Sequence, residues 1–275
     1  MFGKNEIVGA RHFNGEERLL VTSMFMTLQG EGPYSGMPAV FVRLAKCNLA
    51  CSFCDTYFDS GEWKTIADLQ LDIDMTVSSF YGDQVYNSED IVLVITGGEP
   101  TLQPALETFL NRERGVWKAI QIESNGIPKA TIPEHVTVVV SPKCAEKNGA
   151  PTRYLRPRPD MLARADCLKF VMEADPTSPY SVVPDWALTW RRETGKEIYV
   201  SPMNVYNIEP QKAKEAREGG TSLEQRSTVE EVISFWEPGL LDVKANQLNH
   251  ETTAAYAIRN FLRFQVQTHL LASVA

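Results

Sequence analysis

The stretch AVFVRLAKCNLACSFCDT, residues 39–56, contains the two features from which the fold can be predicted. Residues 39–44 are a short apolar run, which is typical of a strand buried on both faces of a parallel sheet. Cys47, Cys51 and Cys54 follow it in a C-x3-C-x2-C spacing. Chemically unusual residues directly after a buried strand indicate an active-site loop at the carboxyl edge of such a sheet.

Other apolar segments have the same length and character as the first. Stretches long enough for crossover helices separate several of them, for instance residues 65–81 and 101–113. Parallel pairing is therefore the natural topology, and we predict an α/β fold, an incomplete (open) parallel barrel of the (β/α)6 type. The five further predicted strands are residues 91–95, 119–123, 136–140, 168–172 and 198–200.

Length and charge restrict the class of protein. A chain of 275 residues fits one α/β barrel domain, residues 1–275, with extra segments at about 1–24, 145–159 and 209–228. We expect the last two segments to be charged surface insertions. The net charge of −8 argues against broad binding of nucleic acid or anionic membranes. No signal-peptide pattern and no run of roughly 18 apolar residues is present, so we expect a cytoplasmic protein.

The three clustered cysteines indicate an iron–sulfur site. Three thiolates on one loop can bind three irons of a cubane and leave the fourth iron open to a small molecule. A zinc site is the alternative, but it would normally use a fourth Cys or His nearby, and all four histidines are distant in sequence. We expect the other two cysteines, Cys144 and Cys167, to be small buried hydrophobic residues.

A second group of unusual residues follows the second predicted strand, in the turn 96–100 (TGGEP). Paired glycines let a backbone approach a ligand closely, and Glu99 can accept hydrogen bonds from an ammonium group. The alternative is a plain strand-to-helix turn in which Pro100 opens the helix. Segments 123–126 (ESNG) and 141–143 (SPK) follow the next two strands, so all these turns should meet at one edge of the sheet.

The cysteine spacing, with Phe53 directly before the last cysteine, resembles the signature of the radical S-adenosylmethionine superfamily. This resemblance implies a [4Fe–4S] cluster on Cys47, Cys51 and Cys54, whose open iron chelates S-adenosylmethionine. One electron then cleaves the cofactor to a 5′-deoxyadenosyl radical. The cofactor contacts that the resemblance implies are Ser52, Phe53, Gly97, Gly98, Glu99, Glu123, Ser124, Asn125, Ser141, Lys143, Ser201, Met203 and Asn204. A buried cap and a surface lysine remain the alternatives for Ser141 and Lys143.

The run FMTLQGEGP, residues 25–33, together with residues 39–44, is more specific and resembles the 7-carboxy-7-deazaguanine synthase family. The implied reaction contracts 6-carboxy-5,6,7,8-tetrahydropterin to 7-carboxy-7-deazaguanine with release of ammonia, in queuosine-type biosynthesis. An external one-electron donor of the flavodoxin kind and a homodimer are also implied. No side chain is expected to act as nucleophile or base at the first step.

The same resemblance assigns a substrate site. Gln29 and Glu31 offer an amide and a carboxylate that can read the edge of a pterin, and Arg43 can pair bidentately with a substrate carboxylate. Turn residues and a surface strand residue are the alternatives. The full predicted set for the substrate is Leu28, Gln29, Gly30, Glu31, Arg43 and Thr96.

The family's Cys-Asp-Thr sequence is matched by residues 54–56, which implies a Mg²⁺ contact for the Thr56 hydroxyl. A helix cap is the alternative for Thr56, and Asp55 more plausibly orients the loop. Lys46 departs from the family, which has glycine before the first cysteine. It places a long cation beside the cluster.

Two other functions remain open from sequence. A radical enzyme that activates a glycyl-radical partner would share the cluster and the 96–100 turn, but it would not need Gln29, Glu31 and Arg43 together. A non-enzymatic metal-binding module would be expected to carry a fourth ligand in the local sequence.

Overall fold

The computed structural model of the chain describes residues 6–13, 17–207 and 241–268. The strands are β1 (Leu19–Leu28), β2 (Pro38–Leu44), β3 (Glu62–Lys64), β4 (Val92–Gly97), β5 (Ala119–Ser124), β6 (Val136–Val140), β7 (Cys144–Lys147), β8 (Ala150–Tyr154), β9 (Cys167–Met172), β10 (Glu197–Pro202) and β11 (Arg263–Phe264). The α-helices are α1 (Ile66–Tyr81), α2 (Leu106–Arg112), α3 (Pro159–Arg164), α4 (Asp185–Thr194) and α5 (Val243–Asn260).

Nine strands form the main sheet, in the order β11-β10-β9-β6-β5-β4-β2-β1-β3. Strands β2, β4, β5, β6, β9 and β10 run parallel, and they correspond to the six strands predicted from the apolar runs. Within the described residues, β3 and β11 lie at opposite edges and the sheet does not close. The predicted α/β fold with an open parallel barrel is therefore confirmed.

Strand β1 escaped the sequence prediction because its apolar residues are interrupted by hydroxyl side chains. It pairs antiparallel with β2 along nearly its whole length, Val21 opposite Leu44 and Leu28 opposite Pro38. Short strand β3 then pairs antiparallel with β1 and ends the sheet. The loop that leaves β1 therefore starts at the amino end of β2, and its residues Gln29 and Glu31 reach Glu123 of β5 and Lys169 of β9.

Alternation along the central strands separates the core from the site. Side chains such as Val42, Ile95 and Phe170 are fully buried in one large apolar cluster against the helices. Their neighbours one residue along point to the other face of the sheet, because successive side chains of a strand alternate. Polar residues at these alternate positions line a cavity: Arg43, Thr96, Glu123, Lys169 and Ser201.

Helix α1 shows how the outer layer is built. Its buried residues, Ile66, Leu69, Ile73 and Val77, recur at three- and four-residue intervals and form one face. The Thr65 side chain accepts a hydrogen bond from Asp68 N at 3.1 Å and caps the first turn. Helix α1 is therefore fixed at its start by a cap and along its length by packing.

The segment 145–159, expected as a surface insertion, forms most of an antiparallel hairpin of β7 and β8. The hairpin is tied to the cysteine loop, because Glu146 Oε1 accepts hydrogen bonds from Ser52 N at 2.7 Å and Ser52 Oγ at 3.1 Å. The segment 209–228 lies outside the described residues. None of the described helices is long and apolar enough to span a membrane.

Part of the extra segment 1–24 packs on the cysteine loop. Val8 N donates to Cys47 O at 2.9 Å, and Ile7 and Cys47 form a parallel bridge. Phe13 is 1% exposed and packs in a small apolar cluster with Leu20. The described residues 6–13 thus form a layer over the outside of this loop.

Lys46 has a left-handed backbone, with φ of 72°. This conformation explains why glycine suits the position, since a side chain is strained there. The Lys46 ammonium lies 3.5 Å from Glu6 Oε2, and Lys46 is not among the residues that line the cavity. Its charge is therefore directed toward the N-terminal segment.

We expect Phe109→Ala to lower the free energy of unfolding by about 3–5 kcal/mol, because Phe109 is 0% exposed and its removal leaves a cavity. Phe80→Ala is the matched control, since Phe80 is 63% exposed and should cost less than about 1 kcal/mol. Chemical denaturation of the apoprotein measures both. Equal losses of unfolding free energy in the two variants would contradict the placement of Phe109 in the core.

Lys46→Val should be about 1–2 kcal/mol less stable than Lys46→Gly, because a β-branched side chain is strained in the left-handed region whereas glycine is not. The comparison cancels the loss of the Glu6 ion pair, which both variants share. Denaturant unfolding of the two proteins gives the difference. Indistinguishable midpoints would mean that Lys46 does not have this backbone conformation.

Candidate active site

One cavity lies at the carboxyl edge of the parallel strands and has about 1270 Å³ of empty space, including its open mouth. Of the residues predicted from sequence, the cavity is lined by Gln29, Gly30, Glu31, Arg43, Cys47, Cys51, Phe53, Cys54, Thr56, Thr96, Gly97, Gly98, Glu99, Glu123, Ser124, Asn125, Ser141, Lys143, Ser201 and Asn204.

Three predicted residues do not line it, namely Leu28, Ser52 and Met203. Ser52 instead fastens the cysteine loop to Glu146 of the hairpin. The Met203 side chain packs with Tyr180 and Cys144 behind the cavity wall. These three positions therefore shape the site from outside.

The cysteine loop presents Cys47, Cys51 and Cys54 to the cavity. Leu49 N donates to Cys47 Sγ at 3.4 Å, and a Cys54 N to Cys51 O bond of 3.1 Å tightens the turn. Burial raises the pKa of all three thiols, that of Cys54 to about 12. Bound iron would supply the positive charge that stabilises the thiolates.

In the part of the chain that the structure describes, no three Cys, His, Asp or Glu side chains are grouped as they would be around a single metal ion. A cubane sets a different requirement, because each thiolate bonds a different iron. Cys47, Cys51 and Cys54 are three free thiols on one loop, and all three line the cavity.

Glu99 is 1% exposed and hydrogen-bonded at both oxygens. Its Oε1 accepts bonds from Thr101 N, Thr101 Oγ1 and Ser124 Oγ, whereas Oε2 accepts one, from Asn125 N at 2.7 Å. Burial raises the pKa of Glu99, and these hydrogen bonds oppose the rise. Oε2 keeps acceptor capacity beyond the Asn125 contact, Glu99 lines the cavity, and within the described residues no lysine or arginine forms an ion pair with it. A buried carboxylate of this kind fits an ammonium ligand such as that of S-adenosylmethionine.

The glycine pair of the 96–100 turn is required by the chain's own backbone. A Cβ on Gly97, whose φ is 122°, would lie 2.1 Å from Leu44 O, and one on Gly98 would lie 2.0 Å from Lys46 O. The close approach that the glycines permit is therefore to the loop after β2. This contact, which sequence reasoning attributed to a ligand, places Glu99 beside the cysteines.

Phe53 and Lys143 face the cavity from two different supports. The Phe53 ring meets Tyr180 edge to face, with centroids 5.1 Å apart. Lys143 Nζ donates to Ser141 O at 2.9 Å and to Ser141 Oγ. Burial lowers the pKa of Lys143, and the nearby charge of Lys169 lowers it further.

Both cysteines outside the loop are buried, as predicted: Cys144 and Cys167 are each 2% exposed.

The opposite wall carries a network of carboxylates and amides. Gln29 Nε2 donates to Glu123 Oε1 at 3.3 Å, and Glu31 Oε1 accepts from Ser201 Oγ at 3.1 Å. Lys169 lies between the two carboxylates and pairs with both. Sequence reasoning missed Lys169, although its place in the apolar run 168–172 was a signal, since a lysine is seldom buried without a partner.

Arg43 and Thr96 lie side by side on β2 and β4. The Arg43 guanidinium lies over the Phe25 ring, 4.6 Å from its centroid. Arg43 also lines the cavity, where its guanidinium offers donors that suit a planar carboxylate.

Thr56 is part of a chain of side-chain contacts that reaches the C-terminal segment. Its Oγ1 donates to Asp55 Oδ1 at 3.1 Å, and Asp55 Oδ2 accepts from Gln267 Nε2 at 3.1 Å. Gln267 also lines the cavity. Sequence reasoning did not select it, because a residue 212 positions from Asp55 gives no local signal.

Known proteins resemble this chain along its length, although no family model matches it. A 7-carboxy-7-deazaguanine synthase of Rickettsia prowazekii (strain Madrid E) is 30% identical over 275 residues, which cover 98% of this chain and 94% of the relative. One from Rhodospirillum rubrum is 38% identical over 190 residues, covering 67% of this chain and 71% of the relative.

Among solved structures, the crystal structure of QueE from Escherichia coli has the same fold. It superposes with a TM-score of 0.52 at 19% sequence identity, and the match covers 95% of this chain and 99% of that one. The full-length sequence relationship, together with three cysteines and a buried Glu99 around one cavity, leads to one assignment. The chain belongs to the 7-carboxy-7-deazaguanine synthase family.

Proposed function

We propose that this chain converts 6-carboxy-5,6,7,8-tetrahydropterin to 7-carboxy-7-deazaguanine and that Cys47, Cys51 and Cys54 hold the [4Fe–4S] cluster that the family's chemistry requires. The observation that supports the assignment most strongly is the convergence of the cysteine loop, Glu99 and Arg43 on one cavity. When bound, the cluster and S-adenosylmethionine supply hydrogen-atom abstraction by a carbon radical.

The cofactor half of the cavity is proposed to be the wall beside the cysteines. Glu99 Oε2 accepts the cofactor ammonium, and Asn125, which bonds Asn48 Oδ1 at 2.8 Å, holds the turn after β5 against the cysteine loop. Phe53 offers an aromatic face for an adenine. Ser141 and Lys143 offer a hydroxyl and an amine to its ribose or carboxylate.

The substrate half is proposed to be the wall formed by the loop after β1 and by β2. Gln29 and Glu31 read the pterin edge, and Arg43 binds the substrate carboxylate through two parallel hydrogen bonds. Fixed contacts at both ends hold the reacting carbon in one place, which is what hydrogen-atom transfer requires. Gln29, Glu31 and Arg43 together favour a pterin over the glycyl-radical alternative.

A magnesium ion at Thr56 also belongs to the proposal. The Thr56 hydroxyl, a substrate carboxylate and water would be hard oxygen ligands of the kind Mg²⁺ prefers. Support comes from the position of Thr56 on the cavity wall and from the Asp55 contact that orients it. We further propose an external one-electron donor of the flavodoxin kind and a homodimer.

The function is tested by anaerobic reconstitution of the full chain with iron and sulfide, followed by incubation with the pterin, S-adenosylmethionine, Mg²⁺ and a reductant. Formation of a 7-deazaguanine chromophore and ammonia is the expected result. Production of methionine and 5′-deoxyadenosine without pterin turnover would point to another radical enzyme. A colourless, zinc-loaded protein would overturn the assignment.

Cys51→Ala should abolish both the cluster and turnover, because two thiolates cannot hold the cubane on this loop. The measurement is iron content, visible absorption and product formation after reconstitution. Cys167→Ala is the matched control, since Cys167 is equally a buried free thiol but does not line the cavity. A Cys51 variant with full cluster content would exclude this ligand set.

Arg43→Ala should raise the KM for the pterin by about tenfold or more with a smaller change in kcat, because a charge-assisted bidentate contact is lost. Cofactor cleavage without substrate should not change. Arg156→Ala is the control, because Arg156 also stacks on an aromatic ring, Trp186, but outside the cavity. Unaltered pterin affinity in the Arg43 variant would refute its role.

A further inference from the structure

A buried ion-pair network connects three elements of the cavity wall. It consists of Lys169 on β9, Glu31 after β1 and Glu123 on β5, and we refer to it as the Lys169 triad. The Lys169 side chain is 8% exposed, and its Nζ contacts Glu31 Oε2 and lies 3.4 Å from Glu123 Oε2. All three residues line the cavity.

Each carboxylate of the triad is held at both oxygens. Glu31 Oε1 accepts from Ser201 Oγ at 3.1 Å, and Glu123 Oε1 accepts from Gln29 Nε2 at 3.3 Å and from Gln121 Nε2 at 3.1 Å. A carboxylate oxygen has two lone pairs. Both oxygens of Glu31 and Oε2 of Glu123 therefore keep acceptor capacity after these contacts are counted.

The residues around Lys169 favour its charged, protonated form. Burial alone would lower the pKa of Lys169, but Glu123 and Glu31 raise it strongly, and Asp55 contributes in the same direction. Lys143, the other buried lysine of the cavity, has a lowered pKa. It therefore contributes less positive charge than Lys169 to stabilise the ionised carboxylates. Removing Lys169 would leave two buried carboxylates without a matched cation, and such groups take up protons instead.

We propose that Lys169 is a positioning residue that keeps Glu31 and Glu123 ionised and fixed in orientation, so that both can accept hydrogen bonds from the N–H groups of an aminopyrimidine edge. This inference rests on the proposed function, because the pterin carries that edge. Lys169 acts through the two carboxylates. Ligands without N–H donors should be bound poorly, because the carboxylates would stay desolvated without new partners.

The test is Lys169→Met in the reconstituted holoenzyme, with anaerobic equilibrium binding of 6-carboxytetrahydropterin to the variant and the wild type from about pH 6 to pH 9. We expect affinity to fall by about tenfold or more near neutral pH, since hydrogen bonds to charged acceptors are lost. Taking the ratio of the two affinities at each pH removes the effect of titration of the pterin itself, because that effect is the same for both proteins. The loss of affinity should be smaller at high pH, because the unpaired carboxyls then lose their protons, but it should not vanish, because the orientation that Lys169 fixed is still missing.

Two further variants separate positioning from folding. Lys169→Arg should restore much of the affinity, because it returns the cation. Lys169→Met/Glu31→Gln leaves one unpaired carboxylate, Glu123, in place of two, so it should be more stable than the single variant, and its pterin binding should remain weak because Lys169 and the Glu31 acceptor are both missing. Lys196→Met is the matched control, since Lys196 donates to Ala165 O outside the cavity, and pterin binding should stay unchanged.

Unchanged pterin affinity in Lys169→Met, or a loss of equal size at every pH, would overturn the inference and leave Lys169 a packing residue. Failure of the proposed function looks different. In that case the wild type itself would neither bind nor convert the pterin while its cluster and cofactor cleavage were intact, and the inference would fall with it.

Discussion

Two backbone hydrogen bonds unite the site. Gly98 N donates to Leu44 O at 2.9 Å and Glu99 N donates to Lys46 O at 2.8 Å, so the turn after β4 lies directly on the loop that carries the cysteines. The contact requires glycine at positions 97 and 98, because a Cβ at either position would overlap the backbone of that loop. The parallel pairing of β2 with β4 brings the two loops to the same edge.

Buried charge is the other constraint on the cavity. Glu99 is held by four hydrogen bonds, whereas Glu31 and Glu123 share the ammonium of Lys169. Desolvation penalises an ionised group unless a partner or several hydrogen bonds compensate it. The cavity thus has one buried carboxylate that is stabilised by hydrogen bonds and two that share a single cation.

The sequence predicted the parts of the structure that depend on local patterns. The six parallel strands appear as apolar runs, and the rim residues follow them within a few positions, so the fold and most of the cavity lining could be predicted. Strand β1 could not, because its register with β2 is a tertiary property. Gln267 could not either, since Asp55 lies 212 residues away, whereas Lys169 left a signal, a lysine in an apolar run, but its partner Glu31 is 138 residues away.

The contacts of the segment that follows β11 determine when, during synthesis, the cavity wall can be completed. Gln265 Oε1 accepts from Gly32 N at 2.7 Å, and Gln267 Nε2 donates to Asp55 Oδ2. These contacts join the end of the described chain to two loops made much earlier in synthesis. The cavity wall is therefore incomplete until the ribosome has delivered Gln267, which lines the cavity.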